Sequence, residues 1–500
     1  VGSVSDTLAW LGSLFPNLPV QNQTVVARWV GQQARWGPDP AGKGAARTWL
    51  KVNWAKAQDP AVRQELCYQL YWAGDERSAL DQLVAEVEQH GAARGLYFWG
   101  DQDLLRRIRA DYPASYLARG FAAYEKVRGR PYFVLDFWDP NTPGPWPFKY
   151  GETQYDPARE IPGWQKFLRD FSRHPGADDA AYRLARCYEI QGKWNEALTW
   201  YAKALTLPDG DLDFDARGRL LFVLDARVPV AELEKLVGQF TVRSDLPPAL
   251  VPLLRYTLAV RALRAEDYPA AAAQLKEFLA VYGEPSGEKA GELVAVLPAL
   301  KDYPFWRRVR EQATQAEQLA AWAAQVGDPE ALYKLGAAVY HSELTYYNHL
   351  WAGGRQGFNW VGHINELWPE VPEREEYLKG LINFWHALRC FQEVEKAPRA
   401  DAELKAKAIY SQGLALSNIL EWGQEATAVF DQHALKDELI ATFKRFVHTY
   451  PENSMADDAL FTLWAHTQDK RYLERLVAAY PEGDRAAAAR KILDQPEKNP

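Results

Sequence analysis

Apolar side chains recur along most of this chain at i, i+3, i+4 and i+7, the spacing of amphipathic helices. Windows of about 10 to 16 residues carry the pattern, and clusters of Gly, Pro and Asp separate them. Clear strand alternation is missing. The nearest approach to a strand is Tyr132 to Leu135, which runs into a Pro-rich loop. The pattern predicts an all-α fold.

The helical windows repeat. Phe167, Phe278, Phe446 and Leu476 each have an aromatic residue one turn later, at Phe171, Tyr282, Tyr450 and Tyr480, so each pair shares a helix face. Pro175, Pro451 and Pro481 follow three of these pairs and stop the helix. Asp178 and Asp179 after the first pair, and Asp457 and Asp458 after the third, are placed to accept the free N–H groups of a new helix. Ala180, Ala459 and Ala489 then share one register, and Leu184, Leu463 and Leu493 another. The hairpin is clearest from Ala180 to Pro208. Its first helix carries Ala181, Leu184, Ala185 and Tyr188, Gly192 makes the turn, and its second helix carries Ala197, Tyr201 and Ala204. Small residues at Ala185 and Ala197 let two antiparallel helices approach closely.

On these residues the hairpin resembles the tetratricopeptide repeat, departing from it at Ala181, where Trp is common. Leu66, Cys67, Leu70, Gly74, Ala79 and Leu83 fit the same register, as do Leu258, Ala259, Ala262, Ala271 and Leu275. A looser copy surrounds Gly413 to Phe430. The Asp-Asp-Ala copies look like repeats of bacterial envelope proteins, namely the lipoprotein of outer-membrane barrel assembly and the periplasmic cell-division coordinator. The resemblance implies a right-handed solenoid of stacked hairpins. It implies one continuous array: hairpins over 1–129, an aromatic and Pro-rich insertion at 130–163, repeats over 164–339, a second aromatic insertion at 340–370, and repeats over 371–500.

The two insertions depart from the hairpin pattern. The first contains Trp138 and Trp146 among several prolines, and is longer than a normal helix–helix connection. The second sets Tyr346, Tyr347, Trp351 and Trp360 around a Gly-Gly turn. Such rings either pack the insertions onto the solenoid or line a site for a peptide or a sugar.

Composition sharpens this picture only locally. The chain has 500 residues, a formal net charge of −8, 47% hydrophobic and 25% charged residues, which is ordinary for a globular protein. Its anomaly is 20 Trp against 1 Met and 3 Cys. The mildly acidic balance gives no push toward nucleic acid or an anionic membrane, and no stretch reaches the roughly 18 consecutive apolar residues of a membrane span. Cys67, Cys187 and Cys390 form neither a disulfide framework nor a zinc pattern and read as buried small hydrophobes.

Candidate catalytic chemistry is thin. Gly37 to Gly44 matches most of a phosphate-binding loop, but Gly44 stands where a hydroxyl should hold Mg²⁺, so the segment reads as a loop before a helix starting near Ala45. Asp209, Asp211, Asp213 and Asp215 start like a calcium loop, yet Phe214 and Leu220 occupy its required Gly and Glu places. His341, His349 and His363, near Glu343 and Glu366, fit no common zinc spacing. Asp136, Asp139, Glu152 and Asp156 are the best carboxylates for a sugar-cleaving pair. No cofactor or metal is expected. The expected function is a non-enzymatic interaction scaffold whose solenoid groove holds a peptide or partner subunit, with Arg183, Arg186 and Glu189 as groove candidates on the clearest hairpin. A solvated charged face is their alternative reading. The rival functions are a glycan-binding or glycan-cleaving protein using the Trp-rich insertions, and a structural subunit of a large assembly. The resemblance, and a chain that opens on Val1 instead of Met, imply an extracytoplasmic location.

Overall fold

The computed structural model describes residues 4–74, 76–93, 102–129, 156–208, 210, 213–247, 250–282, 309–325, 327–342, 371–421 and 429–495. Among them are 23 α-helices and no strand. The chain divides into two compact units, the first comprising 1–220 with 243–247, the second 221–242 with 248–500.

The first unit begins with α1 (Val4–Leu14), α2 (Val20–Trp36), α3 (Pro40–Lys56), α4 (Pro60–Trp72) and α5 (Glu76–His90). It continues through α6 (Gln102–Asp111), α7 (Tyr116–Arg128), α8 (Pro157–Asp170), α9 (Ala177–Ile190) and α10 (Trp194–Ala204), and the division falls inside α11 (Asp213–Phe222). A π-helical turn, Val223–Arg227, then leads to α12 (Val230–Thr241), α13 (Leu250–Arg264) and α14 (Tyr268–Tyr282). Next come α15 (Val309–Ala323), α16 (Pro329–His341), α17 (Val371–Leu381) and α18 (Asn383–Lys396). The second unit closes with α19 (Ala402–Glu421), α20 (Gln432–Thr449), α21 (Ala456–Thr467), α22 (Arg471–Ala479) and α23 (Ala486–Leu493).

Start signals are local and explicit. Asp39, Asp59, Asp156 and Asp328 each accept backbone N–H groups of the helix they precede, and each is followed by Pro at the first helical position. Proline has no N–H to lose there, and its fixed φ suits the first turn. Two boundaries move as a result. The helix expected near Ala45 begins at Pro40, so Gly42, Lys43 and Gly44 are helical and cannot form a phosphate-cradling loop. Pro157 likewise starts α8 inside the segment assigned to the first insertion, and Trp164 on that helix is fully buried, its Nε1 donating to Glu160 at 2.9 Å.

Helix exits repeat one geometry. Phe171, Tyr450 and Tyr480 cap α8, α20 and α22 with φ near −130° and ψ of 36°, 56° and 60°. Each N–H donates to the carbonyl four residues back, at Phe167, Phe446 and Leu476. The Asp pair that follows behaves differently in its two copies. Asp457 accepts the N–H of Asp458 within the first turn of α21, whose N-cap, Met455, makes no side-chain bond. Asp178 instead accepts from the N–H of Gly210, 3.0 Å away, so it ties a later loop to α9.

Packing runs between near neighbours in the chain. In the first unit α2 packs on α3 and α4, α4 on α5, α8 on α9 and α9 on α10. In the second, α13 packs on α14, α14 on α15, α16 on α18, α18 on α19 and α19 on α20. Ala185 and Ala197 are fully buried between α9 and α10, as their size predicts. Cys67, Cys187 and Cys390 are unpaired, and burial pushes each thiol up to about 12. No helix among the described residues is long and apolar enough to cross a membrane.

Candidate functional site

The charged residues expected on the clearest hairpin do come together, but inside it. Arg183, Arg186 and Glu189 lie on one face of α9 and are 4–5% exposed. Glu189 accepts from Tyr201 Oη at 2.5 Å and from Arg219 Nε at 3.1 Å, and pairs with Arg186. Arg183 Nε donates to Tyr124 Oη at 3.2 Å. Burial raises the proton affinity of Glu189, and the two guanidinium groups beside it outweigh that effect, holding the carboxyl well below its usual range. A solvated charged face is excluded here: these side chains join α9, α10 and α11 through a buried ion network.

Trp138, Trp146, Tyr346, Tyr347, Trp351 and Trp360 lie outside the described residues, as do His349, His363, Glu343, Glu366, Asp136, Asp139, Glu152 and the stretch from Tyr132 to Leu135. Asp156 caps α8, where it accepts from Arg159 N. Asp209 and Asp211 are also outside the described residues, and Asp213 and Asp215 fall in the first turn of α11. Asp457, Asp458 and Asp484 bring one carboxylate oxygen each within 4.8 Å of the others. Carboxylates suit a hard cation, but Asp457 holds a backbone N–H and Asp458 receives Arg485 Nε at 2.6 Å.

The most developed site is in the second unit, at the turn between α13 and α14. Glu266 N donates to Leu263 O and Asp267 N to Ala262 O, both at 3.0 Å. Gly192 and Lys193 make the same two bonds in the turn between α9 and α10. Both turns need a left-handed residue: Gly192 has φ +66° and Glu266 has φ +61°. Glycine adopts that conformation freely, whereas a residue with a Cβ loses about 1 kcal/mol there. Glu266 therefore carries a side chain at a place where the backbone favours having none.

That side chain is engaged. Its Oε1 accepts from His386 Nδ1 and from Arg389 Nη1, the latter at 3.1 Å. His386 Nε2 faces the Gly380 carbonyl at 3.2 Å. Burial pushes the Glu266 carboxyl up, and the hydrogen bond and charge of His386, with Arg389, more than offset this and keep it below the usual carboxylate range. Behind it, Arg264 is buried, pairs with Asp225 and lies 5.2 Å from the Tyr377 ring centroid. Tyr377 Oη donates to the other Asp225 oxygen at 2.9 Å. Asp225 belongs to the π-helical turn, so this buried carboxylate anchors the wall of the site.

Glu266 lines two cavities at once. One, of about 500 Å³, is bordered by Arg264, Lys379, Trp385, His386 and Arg389. The other, of about 760 Å³, is more apolar, with Tyr268, Trp322, Leu332, Leu335 and Arg399 on its walls. The chemistry available is a charged junction with an aromatic and aliphatic recess beside it.

No protein-family model matches the sequence, and comparison with curated proteins gives no match. The residues of this site were not singled out from sequence, yet one signal was present. Setting Ala259, Ala262, Ala271 and Leu275 on Ala185, Tyr188, Ala197 and Tyr201 puts Glu266 on Gly192. A charged residue at the turn glycine marks the place. The approach of His386 and Arg389, more than a hundred residues later, had no sequence signal.

Proposed function

We propose that this chain is a non-enzymatic protein-interaction scaffold of tetratricopeptide-like hairpins, and that it holds a peptide segment of a partner protein in the paired cavities at Glu266. The repeat reading is supported by three helix exits of one geometry and by two turns with the same pair of hydrogen bonds. The site reading rests on one observation: a left-handed glutamate whose carboxylate is fixed at the junction of two cavities. A turn alone would be better served by glycine, as at Gly192. Both cavities fall in the size range of ligand clefts, roughly 300–1,000 Å³. Tyr268, Trp322, Leu332 and Leu335 offer an apolar recess for a side chain, while Lys379, Arg389 and Arg399 offer charge to groups flanking it. Both ring nitrogens of His386 face oxygen atoms, and Glu266 is held by two donors, which fixes the carboxylate in place at the junction.

Photo-crosslinking from Leu332 in the intact chain, within the cells that make it, tests this. The expected product is a cross-link to one protein segment, mapped by mass spectrometry and reduced by Arg399→Glu at the exposed rim. Retention on peptidoglycan with release by soluble oligosaccharide, and no protein cross-link, would favour the glycan-binding rival.

A further inference from the structure

The first three helices differ from the rest of the chain in charge and in what they expose. Residues 4–56 hold Arg28, Arg35, Lys43, Arg47, Lys51 and Lys56 against only Asp6 and Asp39, in a chain whose net charge is −8. Seven of the ten large apolar side chains exposed among the described residues lie on α1, α2 and α3, including Trp10 at 61% and Trp36 at 70%. On α2 the buried residues are Ala27, Val30, Gly31 and Ala34. Val25, Trp29 and Trp36, at spacings of four and seven, fall on the opposite side of the same helix. An amphipathic helix with only its own core to bury would be polar there. The stripe extends for about 16 Å, three turns of a facing helix.

Beside the stripe is a cleft of about 320 Å³ between α2 and α4, whose walls include Arg28, Gln32, Arg35, Trp36, Gln69 and Trp72. It is pre-built. The buried Glu65 accepts two bonds from Arg28, at 3.0 and 2.9 Å, and one from Gln69 at 2.8 Å. Gly31 lets α2 approach closely: a Cβ there would lie 1.9 Å from Gln69 Oε1. The Arg35 guanidinium carbon sits 4.5 Å from the Trp36 ring centroid and 4.1 Å from that of Trp72. Two indoles thus orient a planar fork of N–H donors, and no carboxylate is among the lining residues. Such a fork takes a carboxylate bidentately.

We infer that this cleft and the α2 stripe dock an acidic amphipathic helix of a partner protein. Its apolar face covers Val25, Trp29 and Trp36, and a carboxylate along its edge pairs with Arg35. The choice of occupant follows from charge complementarity: a basic, aromatic surface with an oriented guanidinium selects an apolar segment flanked by Asp or Glu. This site is separate from the Glu266 reading and stands or falls without it.

Fluorescence anisotropy of the full chain with a fluorescein-labelled amphipathic helix of Leu and Glu tests the assignment. Binding is expected, weakening as salt is raised. Arg35→Ala and Trp36→Ala, both exposed and therefore leaving the circular dichroism unchanged, should each weaken it about tenfold. Arg35→Lys should not restore it, since an ammonium cannot lie flat between rings or bind bidentately. Glu266→Gly should leave it intact. No binding, equal binding of a Leu and Lys helix, or unaltered affinity in Arg35→Ala would overturn the inference. So would sedimentation with phosphatidylglycerol vesicles without affinity for the acidic helix.

Discussion

His174 is fully buried, with its Nε2 3.0 Å from the Leu117 carbonyl and its Nδ1 3.0 Å from Gly176 N. The carbonyl can only accept and the amide can only donate, so the ring is neutral with its proton on Nε2. Burial pushes its pKa down to about 3 from 6.5, against the weaker upward pull of the Leu117 bond. Between those values the unfolded chain binds a proton that the folded chain refuses, so stability is lost as pH falls from 6.5 toward 3. The loss is at most about 1.4 kcal/mol per pH unit. Denaturant titrations across this window should give a steeper acid slope for the native chain than for His174→Gln; equal slopes would exclude the buried neutral ring. Nothing in the sequence around His174 announced this, because its partners come from the start of α7 and from its own turn. Glu266 was closer to legible. Its register placed it on Gly192, but local sequence carries no sign of what a distant helix will bring to it.

At the scale of elements, the α9–α10 hairpin was readable because its geometry depends on residue size. Ala185 and Ala197 permit the close approach, Gly192 permits the turn, and both are local properties. The start of α3 was misjudged because Asp39 and Pro40, a capping residue and a first-turn proline, sit inside a Gly-rich segment that imitates a phosphate loop. The charged face of α9 was misjudged for another reason. Helical periodicity places Arg186 and Glu189 on one side but does not reveal that Arg219 of α11 covers them. Their burial has a measurable consequence. Glu189→Ala removes the buried carboxylate that Arg186 and Arg219 share and should cost about 3–5 kcal/mol in chemical denaturation. Arg485→Ala, which breaks the half-exposed pair with Asp458, should cost under about 1 kcal/mol. Similar losses for both would contradict a buried, interdependent network.

Across the whole molecule, bulk composition concealed two distributions. The net charge of −8 hides a basic stretch at residues 4–56, which a count by segment shows and a total does not. Of the 20 tryptophans, Trp138, Trp146, Trp351 and Trp360 of the two insertions lie outside the described residues, while Trp10, Trp29 and Trp36 stand exposed on α1 and α2 and Trp164 is core. Periodicity carried the all-helical class well, because amphipathic spacing is written along each helix. It carried the site poorly, because the site joins the α13–α14 turn to α17 and α18 through long-range packing. The most direct measurement is calorimetric titration of the intact chain with the segment cross-linked at Leu332, made as a synthetic peptide, alongside thermal melts. Replacing Glu266 by glycine removes the binding carboxylate and the left-handed strain together. A binding role predicts that Glu266→Gly melts within a few degrees of the native chain and binds at least about tenfold more weakly. Unchanged affinity, or a fold lost with the substitution, would contradict it.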